Sequence, residues 1–463
     1  MDDLPPTSRY RWLVLFTVLF GLFTYGTITT VISASLKTVA DDLHSSTTSL
    51  AWAITGPFLA LGIGNPIFGK IGDIYGRRKF FLIGMSVFSV ASIGCAVAPS
   101  AATLIALRAV AGLGASAATP NGTAIVLDAF SIEERPRALG WFNLFGVGAP
   151  AIGLAMGGIM VDALGWRAVF WIYGATAVIA TIVAFAIVRP TKPGLSERVD
   201  YAGAGTLAIA TLGIALGLTL GGSRGFSDPA TVGLLACCPL ALMLFVFIER
   251  RTTYPLAPLR YFANRNFSGP LFGYFAGHMT YMGAFVVTPI LLRDGFGYRA
   301  AAISAVLLMR PLSYSLTSPL AGAFTARVGN RVAATFGSFP LIIGASAFVI
   351  GASTRSIAFV VAGLAFSGIG LGVVTPPYVS SLTGAVRESE LGLASGMLQM
   401  SASLGTVVGI QLALVLLGTA KPHATSDFLT PYVVGVGAAV LMLGFSTRLV
   451  RRIPAVVLEL AAD

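Results

Sequence analysis

Charged residues are scarce in this chain. Only 11% of its 463 residues are Asp, Glu, Lys or Arg, whereas 56% are hydrophobic. Soluble domains carry about 25% charged residues. The composition therefore argues against an ordinary soluble protein and predicts a chain that lies mostly in lipid.

Histidine and cysteine are also rare. The chain has three of each, with His44, His278 and His423 far apart and the cysteines inside apolar runs. No metal-ligand spacing, catalytic cluster or phosphate-binding loop occurs. We therefore expect no metal, no cofactor, no catalytic residue and no coupling to ATP. The net charge of +11 is spread thinly between apolar runs, so we expect no nucleic-acid partner.

Long apolar runs are abundant. Each bilayer crossing needs about 20 mostly apolar residues. The runs predict fourteen spans near 12–35, 50–69, 80–98, 102–127, 138–161, 168–188, 201–221, 230–248, 267–292, 300–325, 332–351, 357–381, 393–417 and 431–447. Most of the 30 basic residues fall in loops on one side if both termini are inside. Because cytoplasmic loops hold the excess of Lys and Arg, we expect a multi-pass plasma-membrane protein with both termini cytoplasmic.

Two segments of the chain echo each other. "GKIGDIYGRR" (69–78) is repeated as "GAFTARVGNR" (322–331), and "RALGWFN" (137–143) as "LASGMLQ" (393–399). We predict an all-α integral membrane protein with fourteen transmembrane helices. Two six-helix pseudo-repeat halves, 1–190 and 262–463, would flank two additional helices in 191–261. Such halves around a central site are typical of transporters, so we expect a small-molecule substrate, membrane lipid around the helices and a monomer.

The loop after the second span carries a distinctive motif, "GKIGDIYGRRK" (69–79). Its glycines permit a tight turn and close helix approach. Asp73 and Arg77 can pair at the inner rim and latch the halves in one state of a cycle.

This motif resembles the loop signature of the major facilitator superfamily, and the whole chain resembles that superfamily's fourteen-helix drug–proton antiporters. Further support comes from "WRAVF" (166–170), from "PLAPLRYFANRNF" (255–267) and from Asp200 followed by Gly203. The resemblance implies a proton-driven exporter that works by alternating access. It also implies a conformational latch formed by Gly69, Asp73, Gly76, Arg77, Arg78 and Asp128.

The antiporter pattern is incomplete. Arg108 matches an intramembrane arginine that the resemblance ties to proton transfer, although an arginine bonded to backbone carbonyls is the alternative. In the fifth span, the signature glycines and proline correspond to Gly153, Gly157, Gly158 and a displaced Pro150, which predicts a kinked and closely packed helix. The first span offers Tyr25 but no carboxylate.

Candidate cavity residues concentrate in the ninth span. Tyr274, His278, Tyr281 and Phe285 share one helical face, and His278 could titrate near neutral pH. A histidine bonded to a neighbouring helix, beside packed aromatic residues, is the alternative. Gln399 is a further candidate, and consecutive Pro376 and Pro377 predict an interrupted helix that could act as a hinge.

Arg310 is the other charge inside a predicted span. It stands in "SAVLLMRPLSYSLTS" (304–318), directly before Pro311. A charge at the bilayer centre costs about 2.5–3.5 kcal/mol on insertion scales. Either Arg310 contacts substrate or a gate in the cavity, or nearby carbonyls satisfy it.

Three functions remain open at this point. The first is a proton-coupled exporter of drugs or hydrophobic or amphiphilic metabolites. The second, suggested by Arg108, Arg310 and the lack of acids deep in spans, is an uncoupled transporter of an anionic or neutral solute. The third is a membrane-embedded enzyme or a transporter-like sensor.

Overall fold

The computed structural model describes residues 8–34, 36–45, 50, 52–191, 200–253, 255, 259–298, 300–418 and 423–450. All regular secondary structure in this part of the chain is helical. Long apolar segments form helices because a helix pairs its backbone N–H and C=O groups internally, as a lipid environment requires.

Sixteen α-helices are described and numbered here in chain order. They are α1 Ser8–Ala34, α2 Leu36–Asp42, α3 Trp52–Tyr75, α4 Arg77–Ala96, α5 Ala101–Ala129, α6 Arg135–Leu164, α7 Trp166–Ile187, α8 Tyr201–Arg224, α9 Pro229–Arg251, α10 Arg265–Ile290, α11 Ala300–Leu307, α12 Met309–Val328, α13 Asn330–Thr354, α14 Ile357–Thr383, α15 Leu391–Leu417 and α16 Leu429–Thr447. Short polar side chains begin several of them. Ser100, Asp200, Asp228 and Asn264 each accept hydrogen bonds from backbone N–H groups in the first turn of α5, α8, α9 and α10, which satisfies donors that the helix leaves unpaired.

Eleven helical segments of the described chain are long and apolar enough to cross a membrane. The three other predicted spans, near 50–69, 138–161 and 300–325, also fall on helices: α3, α6, and α11 followed by α12. The fourteen-span count remains a prediction.

The predicted span at 300–325 is two helices rather than one. α11 ends at Leu307 and α12 begins at Met309. Pro311 explains the break, because its ring removes the N–H that would bond the carbonyl of Leu307. By contrast, α14 continues as one helix through Pro376 and Pro377, although neither proline has an N–H to donate to the preceding turn. The expected hinge at this position remains a prediction.

The chain divides into two compact units. The first comprises Met1–Ala138, Phe145–Val199 and Glu388–Gln399, and the second comprises Leu139–Leu144, Asp200–Arg387 and Met400–Asp463. In the first unit α5 packs against α3 and α4, and α7 packs against α1 and α4. In the second unit α14 packs against α12 and α13, α16 packs against α10 and α13, and α8 pairs with α9.

Candidate functional site

An ion-pair network surrounds the turn between α3 and α4. Arg77 Nε donates to Asp73 Oδ1 at 2.7 Å, and Arg77 Nη1 pairs with the carboxylate of Asp128. The remaining nitrogen, Nη2, donates to the backbone oxygen of Glu388. Asp73 is only 2% exposed and Arg77 7%. The structure thus brings together three of the four charged residues expected in the latch, and adds the segment before α15.

Asp73 also holds the beginning of α15. Its Oδ1 accepts from the backbone N–H of Gly392 at 3.0 Å, and its Oδ2 accepts from Leu393 at 2.8 Å. The first N–H groups of a helix lack intrahelical partners and carry partial positive charge. A buried carboxylate at this position satisfies two of them. Sequence reasoning did not identify Gly392 or Leu393, because no local pattern shows which distant helix Asp73 reaches.

The glycines of the motif allow this close approach. Gly76 joins α3 to α4 with φ of 103°, a conformation that favours glycine. A Cβ at Gly69 would collide with the backbone carbonyl of Gly392. Arg78 lies outside the ion-pair network: its backbone N–H donates to Thr191 Oγ1 at 3.0 Å, and its Nη2 donates to the carbonyl of Phe185 at 2.6 Å.

The two sequence echoes correspond to repeated local structure. Gly329 joins α12 to α13 with φ of 86°, as its counterpart Gly76 joins α3 to α4. Each joint is a single left-handed glycine. The predicted match between these two loops therefore extends to their backbone conformation.

The second echo marks a pair of equivalent helix contacts. A Cβ at Gly396 of α15 would collide with the carbonyl of Asn65 and lie 2.8 Å from Pro66 Cα in α3. A Cβ at Gly140 of α6 would lie 2.6 Å from the carbonyl oxygen of Ser318 and 2.8 Å from Pro319 Cα in α12. The contacted dipeptides are related by the same 253-residue offset as Gly69 and Gly322. In both contacts, a helix backbone lies directly on a glycine.

Arg108 connects α5 to α3. Its side chain is fully buried, and its Nε donates to the backbone oxygen of Ala53 at 3.0 Å. Cys95 and Tyr25 lie close enough to interact with its charge. The carbonyl bond is the packing role considered from the sequence. It is also compatible with a second role in proton transfer.

Arg108→Gln is expected to lower the thermal unfolding midpoint by several degrees. The Ala53 carbonyl would lose its buried donor, which costs about 1–3 kcal/mol. Thermal unfolding in detergent tests this expectation, with Arg224→Gln at the end of α8 as the control. If Arg108 has only a packing role, transport per folded molecule should be unchanged. Loss of substrate-driven proton flux with retained substrate binding would assign it to coupling.

The aromatic face predicted on α10 is present. His278 lies between Tyr274 and Tyr281, with ring centroids 4.2 Å and 6.4 Å away. Its Nδ1 is 3.0 Å from the carbonyl oxygen of Tyr274. A carbonyl only accepts, so Nδ1 carries the hydrogen and Nε2 is the basic nitrogen. The hydrogen bond stays within α10 and leaves Nε2 as the atom that could take up a proton.

Arg310 joins this aromatic group. Its guanidinium carbon lies 3.1 Å from the centroid of the Tyr281 ring and 4.6 Å from that of Phe285. Behind them the hydroxyl of Tyr314 is 2.8 Å from Thr375 Oγ1. The group therefore connects α10, α12 and α14 of the second unit around a buried cation.

Other predicted site residues lie elsewhere. Tyr25 packs edge-on against Phe88, with ring centroids 5.8 Å apart, and Gln399 is partly exposed on α15. Both belong to the first unit, whereas the aromatic group belongs to the second.

The proline and glycine positions are all helical. Pro376 and Pro377 are buried within α14, and Gly153 is buried within α6. α6 runs continuously from Arg135 to Leu164. The side-chain environments of Pro150, Gly157 and Gly158 lie outside the described part of the chain.

A polar contact at the start of α7 was not identified as a site from the sequence. Asp42 at the end of α2 accepts from Trp166 Nε1 at 3.1 Å and pairs with Arg167. The Arg167 guanidinium also stacks on the Trp166 ring at 4.2 Å. These donors hold the pKa of the Asp42 carboxyl below its usual value. The "WRAVF" segment therefore joins α7 to α2.

Comparison with known proteins agrees with this architecture. Residues 18–268 and 270–458 match the family described as Major Facilitator Superfamily. The chain is 26% identical over 423 residues to the multidrug resistance protein Stp of Mycobacterium tuberculosis (strain CDC 1551 / Oshkosh), covering 90% of this chain and 78% of Stp. It is 28% identical over 431 residues to the drug efflux pump JefA of the same organism, covering 91% and 84%. The solved proton:xylose symporter XylE superposes with a TM-score of 0.66 at 15% identity, covering 95% of this chain and 96% of XylE, which shows a shared fold.

Proposed function

Because the chain belongs to the major facilitator superfamily, and is therefore a membrane transporter and not an enzyme, we propose that it is a secondary active exporter. The proposed substrates are drugs or hydrophobic or amphiphilic metabolites. Relatives named as a multidrug resistance protein and a drug efflux pump support this direction and substrate class.

The main support for the proposal is the set of hydrogen bonds between Asp73 and the start of α15. A buried carboxylate receives one guanidinium N–H and two backbone N–H groups, and Arg77 Nη2 donates to the neighbouring carbonyl of Glu388, so the contact consists of hydrogen bonds and ion pairs. Glycine at position 69 removes steric interlocking there. Such a contact can separate and re-form as a unit, as alternating access requires. Gly69, Asp73, Gly76, Arg77 and Asp128 would form the conformational latch, with Arg78 fixing the adjacent turn.

Proton coupling is part of the proposal. Nε2 of His278 is a basic atom on the aromatic face of α10, and Arg108 is a buried cation in α5. Uptake of a proton at His278 would place a second positive charge near Arg310. The repulsion between them would change the free energy of the surrounding helices, which is a means of linking protonation to conformation.

The proposed subfamily, membrane and orientation follow from the resemblance to the fourteen-helix antiporters. We place the chain among the fourteen-helix drug–proton antiporters, in the plasma membrane and with both termini in the cytoplasm. The halves 1–190 and 262–463 would flank the pair α8 and α9 and work by alternating access, and the functional unit would be a monomer in lipid.

Reconstitution in liposomes tests the exporter. An imposed pH gradient is expected to drive accumulation of an amphiphilic fluorescent probe, and adding probe is expected to move protons in the opposite direction. His278→Gln should slow gradient-driven transport at saturating probe by about tenfold, equivalent to 1.4 kcal/mol. His423→Gln is the matched control. Transport without proton movement would overturn antiport, and failure of every probe to move would overturn the exporter.

A further inference from the structure

Arg310 is a buried guanidinium with unused donors. The residue is 1% exposed. Its Nη2 lies 3.8 Å from the thioether sulfur of Met282, which is a weak acceptor. Within the described residues, neither Nε nor Nη1 has a hydrogen-bond partner. The carbonyl contacts considered from the sequence are therefore not made by these two nitrogens.

The surrounding helices supply no counter-ion. Between Glu249 and Glu388 the sequence contains one acidic residue, Asp294. That residue lies beyond the end of α10, where it accepts from Arg293 Nε at 3.0 Å. Hence α10, α12, α13 and α14 contain no carboxylate at all.

Aromatic rings offset only part of the cost of this charge. Tyr281 and Phe285 provide cation–π contacts to the faces of the guanidinium. Neither ring supplies the acceptors that Nε and Nη1 lack within the described residues. Buried charges in proteins are normally both paired and hydrogen-bonded. The missing partner is thus an anion that approaches the edge of the guanidinium.

The surface of α10 next to Arg310 indicates what kind of body the anion carries. His278, Met282 and Phe285 are partly exposed on α10, at spacings of four and three residues, whereas Tyr281 is buried. This stripe presents an imidazole, a thioether and a phenyl ring beside Arg310. It suits an aromatic or otherwise apolar body. A planar guanidinium suits a carboxylate, whose two oxygens can accept from two N–H groups.

We propose that Arg310 and the partly exposed stripe of α10 form a subsite for organic carboxylates with an apolar body. This inference rests on the proposed export function and names its substrate class. The carboxylate accepts from Arg310, while the apolar body lies along His278, Met282 and Phe285. Substrate binding then neutralises a cation that the empty protein leaves without a partner.

Three probes with the same aromatic body and different charge test the subsite. Naphthoate, naphthylmethanol and naphthylmethyl-trimethylammonium are compared by equilibrium dialysis against the wild-type protein in nanodiscs. We expect naphthoate to bind about 10- to 100-fold more tightly than naphthylmethanol, the range for hydrogen bonds to a charged group, and the ammonium compound to bind most weakly. Equal binding of naphthoate and naphthylmethanol would overturn the subsite.

Substitutions test whether Arg310 causes the preference for naphthoate over naphthylmethanol. Arg310→Gln should abolish the difference between naphthoate and naphthylmethanol, whereas Arg293→Gln, at an arginine whose side chain is 66% exposed, should not. Arg310→Lys should retain a reduced preference, because it keeps the charge without the planar fork. If Arg310→Gln does not fold, the wild-type comparison and Arg310→Lys decide the matter. An undiminished preference in Arg310→Lys and Arg310→Gln would also overturn the proposal.

Binding and transport separate the two proposals. Selective binding of naphthoate without its transport in liposomes would support the subsite and count against the exporter. Transport of naphthylmethanol as fast as naphthoate, with equal affinities, would leave the exporter and exclude the subsite.

Discussion

Alanine at Gly396 or at Gly140 is expected to slow transport by about tenfold. Each added Cβ would meet main-chain atoms of the facing helix, which cannot rotate away as a side chain could. Overpacking of this kind costs about 1–3 kcal/mol, and 1.4 kcal/mol corresponds to a factor of ten. If these contacts form and separate during transport, the substitution raises the free energy of only the conformation in which they are closed. The transport rate should fall because that conformation becomes harder to reach.

Two matched glycines serve as controls. A Cβ at Gly56 in α3 would meet only Ala109 Cβ at 3.8 Å, and one at Gly437 in α16 would meet nothing within 4 Å. Gly56→Ala and Gly437→Ala should transport normally. Rates are measured in liposomes and normalised to folded protein. Normal transport by both Gly396→Ala and Gly140→Ala would show that these contacts do not limit the cycle.

Asp73→Asn is expected to reduce transport at least as strongly. Asparagine presents one acceptor oxygen, whereas Asp73 uses both oxygens to accept from Arg77, Gly392 and Leu393. The amide NH₂ would face an N–H donor. Each buried donor left without a partner costs about 1–3 kcal/mol, so the contact should weaken by about 10- to 100-fold.

Hydrogen exchange gives a local readout of that loss. The backbone amides of Gly392 and Leu393 should exchange faster in Asp73→Asn, because their acceptor is weakened. Glu134→Gln is the control, since Glu134 pairs with Arg11 and is 38% exposed. Unchanged exchange at these amides, together with a normal transport rate, would remove Asp73 from the latch.

The sequence was informative where a pattern is local. Asp73 and Arg77 are four residues apart, on either side of the glycine turn at Gly76, so their pairing could be predicted from the motif. Apolar runs of about 20 residues located the helices, because a helix satisfies all backbone hydrogen bonds within one segment, as lipid requires. The link from Asp73 to Gly392 joins residues more than 300 positions apart, and a single sequence contains no local signal for it.

Prolines show the limit of local rules. Pro311 separates α11 from α12, whereas α14 passes through Pro376 and Pro377. Proline has a φ that a helix accepts, but it lacks the N–H and its ring crowds the carbonyl four residues earlier. Packing from neighbouring helices therefore decides whether the helix continues, and that packing is a property of the fold. The aromatic face of α10 was predicted from helical spacing, but the stacking of Arg310 on it was not, because it depends on the register between two helices.

The single-glycine joints at Gly76 and Gly329 have a mechanical consequence. A joint of one residue has two soft torsions, so it bends far less freely than a loop of several residues. We therefore expect rotation of α3 about its axis to be accompanied by rotation of α4, and rotation of α12 by rotation of α13. Each helix pair should therefore move as one unit when the protein changes conformation. Lengthening either joint by a few flexible residues would let one helix turn without the other.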